Sequence, residues 1–154
     1  MSPTLPPHPG SCSGSTLGLM FRQVRDAMWA RMAHELAQAG HDLTFSQYVT
    51  IKKLAAGTAS VTDLARAAEL NPGAMTRLLD RLEARGLIAR VTDPADRRAL
   101  HIHLTPAGQT IWRDVDQCGL RVREHAMAGM SEAERDHLMR MLAQVRDNLL
   151  LTDR

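Results

Sequence analysis

The stretch from Asn71 to Leu104 constrains the fold of this chain most, because it places a capped amphipathic helix directly before two alternating strands. Asn71 is a preferred helix N-cap residue, and Pro72 suits the first helical position, where its missing N–H leaves no hydrogen bond unmade. Gly86 supplies the C-terminal stop. The apolar residues of this helix recur at the i, i+3, i+4, i+7 spacing of a buried stripe and are Met75, Leu78, Leu79 and Leu82.

The face of this helix opposite the stripe carries small residues near its N-terminus and arginines further along. Its members are Gly73, Ala74, Thr76, Arg77 and Arg81. Small side chains let a helix end approach a bulky partner closely, and the arginines supply positive charge. Asp80 lies among them, so the face is not wholly cationic, and we expect this carboxylate to pair with Arg77 or to brace it.

Beyond this helix the pattern changes from helical to alternating, which predicts a β-hairpin. Leu87–Val91 and Ala99–Leu104 are the predicted strands, and the residues between them have turn chemistry. The tip of the hairpin bears Arg97 and Arg98 beside Asp96, a carboxylate that we expect to hold one guanidinium through a bidentate ion pair. A helix followed by such a ribbon is typical of the winged helix-turn-helix.

Three further helices are predicted before this stretch. The first begins at residue 15 or 16, and its apolar residues recur at three- and four-residue steps: Leu17, Met20, Phe21, Val24, Met28, Met32 and Leu36. Thr44 is the predicted N-cap of a second helix, Phe45–Ala56, and Ser60 is that of a third, Val61–Glu69. The third helix and the Asn71 helix together make a compact helix-turn-helix.

Two helices are predicted after the hairpin. Thr105 caps the first of them, with Pro106 in its opening turn, and its apolar face is expected to run to about residue 129. Ser131 and Glu134 form a capping box that starts the last helix. The first helix of the chain and these last two carry apolar faces that little else in the chain covers, so we expect a homodimer to cover them.

Composition fits a globular protein with a sizeable core. The 154 residues, 44% of them apolar, allow one domain or two small intertwined lobes. Aromatic residues are only 3% of the chain whereas Met occurs 9 times, so the core is expected to be aliphatic and rich in sulfur. The formal charge of +2 permits binding to a polyanion but does not establish it.

The ends of the chain and its cysteines indicate a cytoplasmic protein of bacterial type. Residues 1–16 are rich in Pro, Ser and Gly and are predicted to be a flexible tail without the order of a secretory signal. No apolar run approaches the roughly 20 residues that span a bilayer, so no membrane partner is expected. Cys118 is expected to be a buried structural thiol rather than a redox sensor, and Cys12 to be inert.

The order of these elements resembles the MarR family of bacterial transcription regulators. The resemblance is carried by NPGAMTRLLDRLEARGLI, DPADRR and HLTPAG, and it extends from about Leu17 to Leu150. It implies a mainly α-helical, homodimeric fold with a small β-hairpin wing and a ligand pocket between each winged head and the dimerisation helices. The implied divisions are a tail at 1–16, a helical dimerisation region at 17–40 and 106–151, and a winged helix-turn-helix DNA-binding domain at 41–105.

Double-stranded DNA is the partner that these residue types and this architecture indicate. The Asn71 helix in a major groove would set Gly73, Ala74, Thr76 and Arg77 against base edges, with Arg77 as the main base reader. Ser60 and Thr62 are expected to bind phosphate, as is Arg81 unless it pairs within the protein. Arg98, held by Asp96, is expected to enter a minor groove while Arg97 contacts the backbone. A symmetric dimer then predicts a pseudo-palindromic operator, and overlap with a promoter would make the protein a repressor.

A small aromatic or phenolic carboxylate is the expected effector, because relatives respond to a signal and flexible sulfur side chains suit an apolar cavity. The residues expected to line its pocket are Met20, Met28, His41 and Tyr48. No cofactor or metal is expected, since the histidines form no recognisable ligand set.

Two alternatives stay open at this point. They are a redox- or metal-responsive regulator of the same fold, and a winged-helix protein-interaction module that does not bind DNA. An enzyme is not expected, because no Ser-His-Asp set, glycine-rich phosphate loop or paired-carboxylate site stands out from the helix surface charge.

Overall fold

The computed structural model describes residues 14–151. Its elements, in chain order, are α1 (Gly14–Gln38), α2 (Phe45–Ala55), α3 (Val61–Ala67), α4 (Pro72–Ala84), β1 (Ile88–Thr92), β2 (Leu100–Leu104), α5 (Pro106–Ala126) and α6 (Glu132–Leu150). Residues 1–13, with most of the expected tail and with Cys12, lie outside the described residues. Residues 14–16, also expected in the tail, belong to α1, because sequence signals fix a helix end only to within one or two residues.

The helices α2, α3 and α4 each begin at the side-chain cap that the sequence predicts. The Thr44 hydroxyl accepts the N–H of Gln47 at 3.2 Å while the Gln47 side chain accepts the N–H of Thr44 at 3.0 Å, which makes a capping box. Ser60 Oγ accepts an N–H of the first turn of α3 at 3.2 Å, and Asn71 Oδ1 accepts one of α4 at 2.8 Å. These bonds satisfy N–H groups that a helix start leaves unpaired.

The turn between α3 and α4 falls earlier than the sequence predicts. α3 ends at Ala67 rather than at Glu69, because Glu69 has a φ of +54° and so leaves the helical conformation. The N–H of Leu70 then donates to the carbonyl of Ala65 at 2.9 Å, which closes the turn. The two helices are thereby connected through a short reversal, as a helix-turn-helix requires.

The predicted stripe of α4 is confirmed as the centre of the core. Met75, Leu78, Leu79 and Leu82 are at most 3% exposed. The side chains buried with them come from every other element except α6 and include Ile51, Leu54, Leu64, Ile102 and Val115. Since one face of α4 is buried in this core, only its opposite face is accessible to another molecule.

The hairpin forms as predicted, with strand boundaries that differ by one residue. β1 and β2 pair antiparallel, with Ile88 opposite Leu104. Ala59, in the loop before α3, adds a bridge that the sequence did not predict: its N–H donates to the carbonyl of Ile102 at 3.2 Å, and the N–H of Ile102 donates back at 2.9 Å. This bridge ties the base of the wing to the helix-turn-helix.

The helices outside the winged head leave apolar side chains uncovered. Val115, Cys118 and Val122 are buried on the predicted apolar face of α5, whereas Ala126 is exposed and Gly129, with a φ of +82°, lies in the turn beyond the helix. The predicted stripe therefore ends a turn early. No residue of α6 is buried, and the large apolar side chains more than a third exposed on α1 and α6 include Leu17, Met20, Phe21, Val24, Met141, Leu142 and Leu149.

The turn between α5 and α6 is held by one arginine. The guanidinium of Arg135 donates to a carboxylate oxygen of Glu124 at 2.8 Å and to the carbonyl of Met127 at 3.2 Å. Ser131 and Glu134 form the predicted capping box at the start of α6. None of the helices within residues 14–151 has the length and apolar content to cross a membrane.

The junction between the hairpin and α5 depends on a glycine. The N–H of Thr105 donates to the carbonyl of Leu87 at 3.1 Å, the Thr105 hydroxyl donates to the carbonyl of Gly86 at 2.6 Å, and the same hydroxyl oxygen accepts the N–H of Gly108 at 3.1 Å. A Cβ atom at Gly108 would overlap the carbonyl oxygen of Leu87. The first turn of α5 therefore lies against the backbone of Leu87, which cannot move aside as a flexible side chain can.

Replacing Gly108 by Ala is expected to lower the free energy of unfolding by about 1–3 kcal/mol, the usual cost of overpacking. Gly119→Ala, in the same helix, is the matched control, because a Cβ there meets nothing within 4 Å. This control should raise the free energy of unfolding by roughly 0.5–1 kcal/mol through helix propensity. Urea denaturation of both variants at one protein concentration measures the difference, and equal stabilities would contradict this account of the junction.

Candidate nucleic-acid interface and ligand pocket

The outward face of α4 presents the side chains that the sequence assigns to base reading. Gly73, Thr76 and Arg77 are exposed, and Ala74 is half-buried. An ideal Cβ at Gly73 would lie 3.8 Å from a terminal nitrogen of Arg77, so the guanidinium lies beside the first turn of the helix. The Thr76 hydroxyl donates to the carbonyl of Pro72 at 2.9 Å, which leaves its oxygen to accept from a partner.

Asp80 does not pair with Arg77, and this corrects the expectation from the sequence. Its carboxylate instead accepts a 2.7 Å hydrogen bond from the guanidinium of Arg90, on β1. Arg90 also lies 3.4 Å from a carboxylate oxygen of Glu83, one turn further along α4. Sequence spacing favoured a partner within the helix, but the hairpin folds back against α4 and brings a nearer one. Arg77 has no ion pair among the described residues.

The tip of the wing is held by backbone hydrogen bonds rather than by the predicted ion pair. Asp96 accepts the backbone N–H of Arg98 at 3.0 Å, and within residues 14–151 it forms no ion pair with either wing arginine. An aspartate readily bonds the N–H two residues on, so the turn itself engages this carboxylate. The side chains of Arg97 and Arg98 are consequently exposed at the tip without a fixed orientation from Asp96.

A second aspartate braces the other side of the tip. Asp93 accepts the N–H of Ala95 at 2.8 Å and lies 3.1 Å from Nε2 of His101. The Ala95 N–H and then the His101 contact lower the pKa of the Asp93 carboxyl. Because the folded-state pKa lies below the unfolded value, this group stabilises the wing above the unfolded pKa and loses that contribution as pH falls through the folded one.

The other residues predicted to contact DNA lie on α3 and α4. Thr62 is exposed in the first turn of α3, and Ser60 is half-buried at its N-cap, with its hydroxyl oxygen engaged by the N–H of Asp63. Arg81 is exposed on α4 beside Arg77, and no ion pair holds it among the described residues. These residues and the wing tip supply the hydroxyls and guanidinium groups of the candidate interface.

A cavity of about 530 Å³ lies between α1, α2 and α5. The whole chain contains two Trp, two Phe and one Tyr. All five of them line this cavity: Phe21, Trp29, Phe45, Tyr48 and Trp112. The ring centroid of Trp29 lies 5.0 Å from that of Phe45, edge to face, and 5.7 Å from that of Tyr48. All the aromatic side chains of a chain with few of them therefore surround one cavity. Such a lining suits a flat apolar ring.

The charged groups of this cavity give it a polar side. Lys52 lies with its Nζ 5.9 Å from the centroid of the Tyr48 ring and has no ion pair among the described residues. Arg25, also in the lining, is held by Asp26 at 3.3 Å. Asp116 is the carboxylate of the lining. Lys52 is thus the cation of the cavity most available to an anionic ligand.

Two of the four residues predicted to line a pocket do so. Met28 and Tyr48 are in the lining, but Met20 and His41 are not. The α1 residues of the lining begin at Phe21, and Met20 precedes them as an exposed side chain. His41 instead has its Nε2 3.0 Å from a carboxylate oxygen of Asp114 and links the loop after α1 to α5. Sequence reasoning missed Trp112 and Lys52, although the scarcity of aromatic residues was a usable signal for the former.

Cys118 is buried beneath an ion pair. A terminal nitrogen of Arg121 donates to its sulfur at 3.2 Å, and Nε of Arg121 donates to a carboxylate oxygen of Glu35 at 2.7 Å. Burial raises the pKa of the thiol and outweighs the opposing effect of Arg121. The thiol is therefore covered, and its raised pKa disfavours the thiolate. Within residues 14–151, no group of three or more His, Cys, Asp or Glu side chains is placed to hold a metal ion.

Comparison with known proteins gives a consistent result. Residues 43–100 match the model of the MarR family. A Thauera aromatica protein, whose name proposes it as the transcriptional regulatory protein for the hcr operon, is 28% identical over 137 residues, which are 88% of this chain and 81% of that protein.

Solved structures resemble this fold over nearly its full length. One, titled for the regulation of DNA binding of Bordetella bronchiseptica BpsR by 6-hydroxynicotinic acid, is 26% identical, covers 92% of this chain and 98% of its own, and has a TM-score of 0.70. Another is NadR in complex with 4-hydroxyphenylacetate, which is 26% identical, covers 92% of this chain and 97% of its own, and also has a TM-score of 0.70.

The covered thiol gives a test of the redox alternative. In a Cys12→Ser variant, Cys118 is expected to resist alkylation by iodoacetamide at mildly alkaline pH, because only an accessible thiolate reacts. Unfolding in guanidinium chloride should expose it to complete labelling, which mass spectrometry measures. Rapid labelling of the folded protein, or loss of DNA binding after mild peroxide treatment of this variant, would favour a redox-responsive regulator.

Proposed function

We propose that this chain is a transcriptional regulator of the MarR family and acts as a ligand-responsive repressor that binds a pseudo-palindromic operator as a homodimer. The observation that carries the proposal is the set of exposed guanidinium groups at the recognition helix and the wing tip, Arg77, Arg97 and Arg98, none of which is engaged by a carboxylate among the described residues. A guanidinium left unpaired is free to exchange its counterions for phosphate or base contacts.

The base-reading role falls to α4. Its first turns would enter a major groove, where Arg77 donates to guanine O6 and N7, and the small side chains of Gly73 and Ala74 allow the helix end to come close to the base edges. Arg81 and the hydroxyls of Ser60 and Thr62 would contact phosphates on either side. Arg98 would enter the adjacent minor groove while Arg97 contacts the backbone.

The proposed contact with a second copy of the chain lies on α1 and α6. A helix of this length has little stability in water without tertiary packing, yet α6 buries none of its residues in the single chain. Its exposed apolar side chains and those of α1 would be covered by the same surfaces of a symmetry-related copy. The two winged heads would then bind half-sites about one helical turn apart, roughly 10 bp.

The effector is proposed to be a small aromatic carboxylate that binds in the cavity between α1, α2 and α5. The volume of about 530 Å³ lies within the usual range of roughly 300–1,000 Å³ for small-molecule sites. Five aromatic side chains would contact the ring of the ligand, and Lys52 would pair with its carboxylate. The ligands named for BpsR and NadR are both single rings with a carboxylate and a hydroxyl group, which supports this class.

Arg77→Ala is expected to remove about 1–3 kcal/mol of discrimination between operator and unrelated DNA, because a bidentate base contact is lost. Arg98→Ala should weaken binding to all sequences and lower the slope of log K against log salt by about 1. Arg113→Ala, an exposed arginine on α5, is the control and should change neither quantity. Fluorescence anisotropy with the upstream region of the chain's own gene, at graded salt, measures both.

Two results would overturn this proposal. One is operator binding that both interface variants leave unchanged. The other is a purified chain that sediments as a monomer at micromolar concentration, since a single winged head could not engage two half-sites.

Lys52→Gln is expected to weaken binding of salicylate by about threefold to fivefold, the loss of one partly exposed charge pair, while leaving salicylamide binding unchanged. Lys53→Gln is the matched control, because Lys53 is the next residue of the same helix and is exposed outside the cavity. Quenching of intrinsic fluorescence reports on the site directly, since both tryptophans of the chain line it. Equal losses for the acid and its amide would rule out Lys52 as the carboxylate partner.

A further inference from the structure

The inner face of the wing contains an arginine where its alternation would place an apolar residue. Ile88 and Arg90 lie on one face of β1, opposite Leu104 and Ile102 of β2. Ile88, Ile102 and Leu104 are at most 7% exposed, so this face packs on the core. The Arg90 side chain, 27% exposed, is therefore directed toward α4 rather than toward solvent.

Arg90 meets two carboxylates on α4. Its guanidinium lies 2.7 Å from Asp80 and 3.4 Å from Glu83, which are one helical turn apart. Both carboxylates are about half exposed, and an ion pair of that kind contributes little to stability. A buried Leu or Met of the neighbouring α4 stripe contributes more. The core thus provides the stability, and the main effect of Arg90 is on the position of the wing relative to α4.

We propose that Arg90 is a positioning residue for DNA binding, which fixes the wing relative to α4 by bridging Asp80 and Glu83. This inference rests on the proposed function. Arg77 of α4 would bind in the major groove of DNA and Arg98 of the wing tip in the adjacent minor groove. Both can bind without a further loss of conformational entropy only if the distance between helix and wing is already fixed in the free protein. The same contacts keep Asp80 away from Arg77, whose guanidinium then stays available for DNA.

The sign of the Asp80→Asn effect distinguishes this role from simple electrostatics. If Asp80 only repelled the phosphates, its neutralisation would tighten DNA binding. If it positions the wing through Arg90, its neutralisation weakens binding even though a negative charge has been removed from a DNA-facing helix. The salt dependence separates a third case, because a residue that contacts phosphate itself lowers the salt slope when it is replaced.

The experiment is a double-mutant cycle of Arg90→Gln and Asp80→Asn in the full chain, with binding to the same upstream DNA fragment measured by anisotropy at graded salt. We expect each single variant to bind about tenfold more weakly, and the double variant to be no weaker than the weaker single, as for residues in contact. The slope of log K against log salt should stay at the wild-type value. Arg90→Lys should recover part of the affinity.

Controls make the result specific. Arg113→Gln, at the exposed arginine of α5 that also serves as the control for Arg77 and Arg98, should leave binding unchanged. Thermal unfolding of each variant should stay close to wild type, because the core is intact. Tighter binding by Asp80→Asn, additive losses in the cycle, a lower salt slope for Arg90→Gln or unchanged affinity for both would each overturn the proposal. A wild-type chain that does not bind the fragment would instead overturn the proposed function.

Discussion

The burial of one face of α4 is the constraint on which the rest of the structure depends. Met75, Leu79 and Leu82 are completely buried, and each such side chain stabilises the fold by more than any single ion pair on the surface. The rotation of the helix about its axis is therefore set by packing, and Arg77 lies outward as a consequence rather than through a contact of its own. A helix packed in this way can vary its outward residues without losing its position in the fold.

Local signals were enough to predict most of the fold. The caps Thr44, Ser60, Asn71 and Thr105 each bond N–H groups within one turn, so their effect is visible in a short stretch of sequence. Glu69 shows the limit, since its φ of +54° is uncommon for a residue other than glycine and its residue type gives no signal of it. The partner of Asp80 was predicted wrongly because Arg90 comes from the hairpin and is distant in sequence. The ion pair of Asp96 was predicted wrongly because its carboxylate accepts the backbone N–H of Arg98 instead of a guanidinium.

The cavity between α1, α2 and α5 is harder to predict from the sequence than the fold is. Its lining comes from three helices that are distant in the chain, and residues such as Trp29, Tyr48 and Trp112 are brought together only by the tertiary fold. Periodicity placed Met28 and Met20 on one helix without indicating where the cavity begins. The low aromatic content was nevertheless informative, because all five aromatic side chains line one cavity.

The cavity and the proposed dimer surface share side chains of α1. Phe21, Val24 and Met28 line the cavity and are each more than 40% exposed in the single chain. A second copy packed along this helix would lie beside the open side of the cavity, so a ligand and the partner chain would contact neighbouring parts of the same side chains. If the ligand binds one arrangement of these side chains more tightly than another, it also favours one arrangement of the two copies. An effector shifts DNA binding only through such a difference in its affinity for two conformations of the protein.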